Sequence, residues 1–216
     1  MTDSQHRPAE VETGTAPLSG LGPGCMVLTL DGEMPIEWLA PGDKVITRDH
    51  GAQPVLHIAR LRQAPGGGPL PAPLTFHPGE RGPQGELLET LRVAPGHRAL
   101  LRRPEIRAQF GTREALARFC DISRRNRARP DPNMGGLSYH QVILERHEII
   151  SAGSLWVESA GPEVAAQLDL PPAVRRATRL LDPDHATARP CLSRDEALQL
   201  RQLCPADLSL LDLLAA

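Results

Sequence analysis

Residues 20–49, GLGPGCMVLTLDGEMPIEWLAPGDKVITRD, constrain this chain more than any other stretch. Residues 25–30 are mostly apolar and Asp31-Gly32 is a turn dipeptide. Residues 34–39 are half apolar, and Pro41-Gly42-Asp43 turns the chain again before a third apolar run at 44–47. Runs this short, punctuated this often, specify β-strands joined by tight turns, not helices. The excess of turn formers continues along the chain: Gly and Pro make 41 of 216 residues, 19%, against a usual share of about 12%.

The remaining strands follow the same logic. Residues 53–62 (QPVLHIARLR) put Val55, His57, Ala59 and Leu61 on one face, with His57 a half-exposed strand residue. A Gly/Pro linker at 63–73 and an irregular stretch at 74–85 lead to a strand at 87–94. Pro95-Gly96 then turns the chain into a short strand at 97–102. Residues 112–120 have helical spacing, with Leu116, Phe119 and Cys120 apolar, and 130–136 (PDPNMGG) is a loop. Residues 139–151 alternate with neither face cleanly apolar, as in a strand lining a polar cleft, and Ala152-Gly153 turns them into a hairpin with 155–158.

From Gly161 the composition becomes rich in Ala, Leu and Arg. Ser193 and Glu196 form a capping box that opens a helix to about Leu203, and 207–214 is a short apolar tail of helical character. The chain therefore divides into three parts. Residues 1–19 are a polar, non-periodic leader expected to be disordered, 20–160 are a mainly β domain, and 161–216 are a small α-helical C-terminal extension packed on it.

Composition removes several function classes. A net charge of −2 and six aromatic residues supply neither a basic nucleic-acid surface nor stacking platforms. The ten arginines between Arg98 and Arg129, against three acids, read as a solvated face. No apolar run approaches the roughly 18 residues of a membrane span, and no signal peptide opens the chain. The four cysteines (Cys25, Cys120, Cys191 and Cys204) form no CxxC pair and are too sparse for a disulfide scaffold, so they read as free thiols in a reducing compartment. A cytoplasmic location is expected, with non-classical secretion left open. A metal hydrolase built on His97, His140 and His147 would need HExxH or carboxylate-ligand spacing that the sequence lacks. No cofactor and no metal are expected.

Three motifs in order carry a resemblance. The opening block, VAPGHRALL at 93–101 and YHQVILERHEII at 139–150 resemble the bacterial Hint domains, the fold shared by hedgehog autoprocessing domains and inteins. The resemblance covers residues 20 to 162 and implies a curled Hint-like β fold. It also implies self-cleavage, in which a thiol or hydroxyl attacks the preceding carbonyl, a histidine handles the proton and backbone N–H groups stabilise the oxyanion.

Carried onto this chain, the resemblance makes Cys25 the candidate nucleophile, His97 the central histidine and His147 the histidine of the late strand. The register departs from that pattern. With Thr29 and Asp31-Gly32 matched to the family's first strand and turn, Cys25 falls where the family has Thr, and the nucleophile position falls on Gly20, with Ser19 one residue away. The hydroxyl residue usual three positions before the histidine is Ala94. No His-Asn end follows His147, so splicing is not expected.

Two readings follow. In one, the chain is a degenerate Hint domain that does not cleave itself and serves as an interaction or structural module for a protein partner. In the other, it is an autoprocessing domain acting at Gly24-Cys25 through an N–S acyl shift with Cys25 and His97. The register and Ala94 favour the first.

Overall fold

The computed structural model describes residues 18–64, 67–82, 85–123, 136–205 and 211–214. The leader up to Pro17, the arginines from Arg124 to Arg129, most of the 130–136 loop and the front of the 207–214 tail lie outside the described residues.

Turn chemistry in the opening block produces the expected strands, β1 (Met26–Thr29), β2 (Gly32–Pro35) and β3 (Lys44–Thr47). Gly32, at φ +109°, takes a conformation that side chains disfavour, and the Thr29 hydroxyl donates to its carbonyl at 2.6 Å. The segment expected as one strand at 53–62 splits into β4 (Gly51–Pro54) and β5 (His57–Leu61). Then come β6 (Leu74–Phe76), the two-residue strands β7 (Arg81–Gly82) and β8 (Gly85–Glu86), β9 (Leu91–Val93) and β10 (Arg98–Leu101).

The expected helix at 112–120 is a correction. A helix α1 forms earlier, at Pro104–Phe110, and Ala115–Arg118 is strand β11, followed by one helical turn α2 (Phe119–Ile122). Ala115, Leu116 and Ala117 are fully buried and pair with β10 along their length. Sheet pairing and two-sided burial override the local helical spacing. The alternating stretch at 139–151 is likewise two strands, β12 (Tyr139–Ile143) and β13 (Ile149–Ala152), and β13 makes the expected hairpin with β14 (Leu155–Glu158).

The main sheet, eight-stranded among the described residues, runs β11-β10-β14-β13-β1-β3-β4, with β2 paired to β1. Smaller antiparallel pairs join β12 to β5, β6 to β9 and β7 to β8. The mostly β chain with its curled antiparallel pairings has the Hint-like architecture implied by the motifs. One large apolar cluster, including Val27, Val45, Phe76, Leu101, Phe119 and Val157, fills the centre, with the Phe76 and Phe119 rings 5.6 Å apart.

Residues 18–22 thread between two of the small pairs. Leu21 exchanges backbone hydrogen bonds with His140 on β12, and Gly22 N–H donates to Arg92 O on β9. Gly20 tolerates no side chain in this slot. Its φ is +141°, and a Cβ would lie 2.9 Å from Tyr139 Cβ.

The C-terminal extension folds back onto the sheet. Helices α3 (Pro162–Ala165) and α4 (Pro172–Ala177) belong to a second apolar cluster with Ile143, Leu170 and Leu180. Helix α5 (Arg194–Leu203) starts at the capping box read from the sequence, with Ser193 and Glu196 bonded reciprocally, and packs against α2 and β11. At the end of the tail, residues 211–213 form a single 3-10 turn.

Candidate active site

The Pro95-Gly96 turn holds His97 at the start of β10. Its N–H donates to Ala94 O at 3.0 Å and its carbonyl accepts from Phe119 N–H at 2.9 Å. Next to β10 in the sheet lies β14, whose last residue is Glu158, so the register of Ala99 with Val157 brings that carboxylate under His97. His147 approaches from the connection between β12 and β13. The two histidines expected from the motifs thus meet at one buried acid: His97 Nδ1 is 3.9 Å from Glu158 Oε1, and His147 Nε2 is 3.4 Å from Oε2.

Glu158 is 1% exposed and remains charged because donors surround it. Arg98 reaches it twice, through its backbone N–H at 3.1 Å and Nη1 at 3.3 Å, and Arg98 Nη2 continues to Glu163 at 2.8 Å. Burial pushes the Glu158 carboxyl up, but the His147 ring Nε2 directed at it and the neighbouring guanidinium of Arg98, together with His97 where that ring is protonated, outweigh burial and hold it below the usual range. For His97, burial dominates. Assisted by Arg98 and His147 and opposed by Glu158, it depresses the imidazole to about 4 and leaves a neutral base at pH 7.

The group facing that base is Ser19. Its Oγ lies 2.9 Å from His97 Nδ1 and 3.3 Å from Glu158 Oε1. One hydroxyl proton serves two acceptors. With Nδ1 bare, Ser19 donates to the ring; with Nδ1 protonated, the ring donates to Ser19 and Ser19 donates to Glu158. Because Glu158 shares the Ser19 side of the ring, the three groups are not a relay of the serine-protease kind, in which the acid holds the opposite ring nitrogen. The carbonyl of Leu18, which precedes the hydroxyl, accepts from Gly96 N–H at 2.9 Å. A hydroxyl, an imidazole and a backbone N–H donor therefore surround the Leu18–Ser19 bond.

Cys25 lies elsewhere. It is fully buried in the main apolar cluster, where Ile36 N–H donates to its carbonyl and its thiol has only a 4.0 Å contact with Met26 O. Burial, with Glu37 adding to it, pushes its thiol far above the usual value, so the thiolate is suppressed. No hydrogen bond or ion pair among the described residues joins Cys25 to His97 or His147. Ala94, 0% exposed, presents a methyl group where the resembled family has a hydroxyl, and its N–H donates to Gly20 O at 2.9 Å.

The extension completes the His147 side. Thr178 Oγ1 donates to Leu144 O, Arg179 N–H donates to Glu145 O, and His147 N–H donates to His185 Nε2 at 3.1 Å. Ala188 N–H reaches His147 Nδ1 at 3.4 Å, which places the ring proton on Nε2, toward Glu158. Arg189 fastens this strap through two bonds to Asp49 and one to Glu114, and Cys191 bridges to Leu116 on β11. Sequence reasoning did not single out Glu158, Arg98 or His185. The available signal was an acid closing the otherwise apolar strand Leu-Trp-Val-Glu.

Among the described residues no group of three or more His, Cys, Asp or Glu side chains could hold a metal ion, and no helix is long and apolar enough to cross a membrane. No curated protein matches this chain. The sequence profile of the Hint domain matches residues 20–164, from the glycine after Ser19 to the end of the segment that carries Glu158 and Glu163. With more than half of its length matched and its two motif histidines joined at one buried carboxylate, the chain belongs to the Hint domain family.

Proposed function

We propose that this Hint domain is a single-turnover autoprocessing domain that acts at Leu18–Ser19 and not at Gly24–Cys25. The observation that carries the reading is the 2.9 Å contact between Ser19 Oγ and His97 Nδ1, beside a Leu18 carbonyl already held by Gly96 N–H. Ser19 Oγ attacks the Leu18 carbonyl carbon as its proton passes to His97 Nδ1. Gly96 N–H stabilises the oxyanion, and collapse breaks the Leu18–Ser19 C–N bond with the proton returned to the Ser19 nitrogen. The product is an ester between the Leu18 acyl group and Ser19 Oγ. Water then releases residues 1–18 with a carboxylate end and leaves a remainder that begins at Ser19. No cofactor enters.

The test is the intact mass of freshly purified full-length protein, incubated with and without hydroxylamine, which cleaves esters. Release of residues 1–18, faster with hydroxylamine and absent in Ser19→Ala, supports the reading. An unchanged mass over days under both conditions overturns it.

A second reading keeps the fold without the chemistry, as a module that binds a protein partner. It is favoured by Gly20, which occupies the nucleophile's register position in a slot with no room for a side chain, and by the methyl of Ala94. The unchanged mass would support it.

A further inference from the structure

A cleft of about 410 Å³ opens directly beside Ser19, within the range of small-molecule sites. Leu18, Leu61, Val164 and Leu168 supply an apolar wall, and Gln141, Gln167, Arg98 and Arg118 line it with hydrogen-bond donors. Two of those donors are already engaged. Arg98 is held by Glu158 and Glu163 through Nη1 and Nη2, with its buried Nε left without a partner among the described residues, and Gln167 Nε2 donates to Glu163 O at 3.0 Å. Two are not. Gln141 is 1% exposed and its Nε2 has no partner among the described residues, an arrangement whose cost an acceptor bound in the cleft would remove. Arg118, half-buried on β11, makes no hydrogen bond or ion pair among the described residues.

We propose that this cleft binds an apolar carboxylate, with the acid group taken by Arg118 and Gln141 and the hydrocarbon laid against Leu61, Val164 and Leu168. Guanidinium and amide N–H groups both donate, so they select an acceptor, and the planar fork of arginine suits a carboxylate. The same chemistry has two sources: a free aliphatic acid, or the C-terminal carboxylate of a peptide ending in an apolar residue, such as the one that cleavage after Leu18 would create. The site does not depend on that cleavage, because Arg118 and Gln141 stand outside the proton-transfer group.

Calorimetric titration of the full-length Ser19→Ala protein, which cannot form the ester, tests the proposal with four probes: octanoate, the peptide acetyl-Thr-Ala-Pro-Leu with a free carboxylate, octanol and octylamine. Saturable binding of octanoate or of the peptide acid supports it, and which of the two binds identifies the source. Arg118→Gln should weaken that binding by about tenfold or more, the loss of one charge-assisted pair. Gln141→Leu, a buried position, serves as the second variant once its melting curve shows a folded protein, and should also weaken it. Octanol or octylamine binding as tightly as octanoate, indifference to Arg118→Gln, or no binding by either acid overturns the site. Wild-type protein that never cleaves would sink the autoprocessing reading and leave this result standing.

Discussion

Ser19 Oγ and His97 Nδ1 lie 2.9 Å apart across 78 residues of sequence. Their meeting depends on the extended run 18–22, pinned between β9 and β12, and on the Pro95-Gly96 turn that fixes the imidazole at the start of β10. The contact moves attention from the thiol the sequence offers to a hydroxyl six residues earlier.

The two candidates separate cleanly in a variant. Cys25→Ser would place a hydroxyl in the apolar cluster around Val27 and Ile36, where nothing accepts its proton well, at a cost of about 1–3 kcal/mol. The expected outcome is a lower melting temperature with an unchanged yield of residues 1–18. A variant that melts like the wild type while losing cleavage would return the chemistry to Cys25.

Glu158 and Glu163 offer a contrast in burial within one network. Glu158→Gln strips the charge from a carboxylate that serves Arg98, Ser19 and His147 in the interior, and should cost about 3–5 kcal/mol in urea denaturation. Glu163, whose side chain is 62% exposed, also bonds Arg98, yet Glu163→Gln should cost less than about 1 kcal/mol. Equal losses would mean that Glu158 does not organise the site.

Much of the fold was legible from residues whose effect is local. Asp31-Gly32, Pro95-Gly96, Ala152-Gly153 and the Ser193–Glu196 pair act within a few residues, and each forms a turn or cap where expected. Leu116 and its neighbours misled because their burial comes from β10 and the strap, remote in sequence, while their spacing suits a helix. The site was half legible. His97 and His147 were visible as motif histidines. Glu158 was not, because an acid at a strand end ordinarily faces water, and only the pairing of β14 with β10 turns it inward. The one-residue offset from Gly20 to Ser19 is a matter of backbone threading that no local signal carries.

The strap gives a prediction about the extension. Arg189 spans Asp49 and Glu114, both partly buried, and holds residues 185–192 over His147. Arg189→Ala should cost about 1 kcal/mol and accelerate amide exchange at His147 and Ala188 more than in the β1–β2 hairpin. Exchange that rises uniformly across the chain would mean the strap is not a separate unit.

The pH dependence follows from His97. Its imidazole, depressed to about 4 chiefly by burial, is neutral in the folded protein where an unfolded histidine at 6.5 is already gaining a proton. Above pH 6.5 both states hold it neutral, so nothing is lost. As pH falls from 6.5 toward 4 the unfolded chain binds the proton first, and the folded state loses stability on the order of 3 kcal/mol, complete once pH drops below the folded value. His140 and His185, also lowered by burial, add slope of the same sign below pH 6.5. The depressed carboxyl of Glu158 acts only further down, since its contribution is present above 4.5 and is lost as pH falls through its folded value. His97→Gln keeps an acceptor for Ser19 without a titrating group, so its urea-derived stability should fall less steeply than the wild type's between pH 6.5 and 4. Parallel curves would show that His97 takes up its proton as readily when folded as when unfolded, so that burial does not hold its imidazole neutral below pH 6.5.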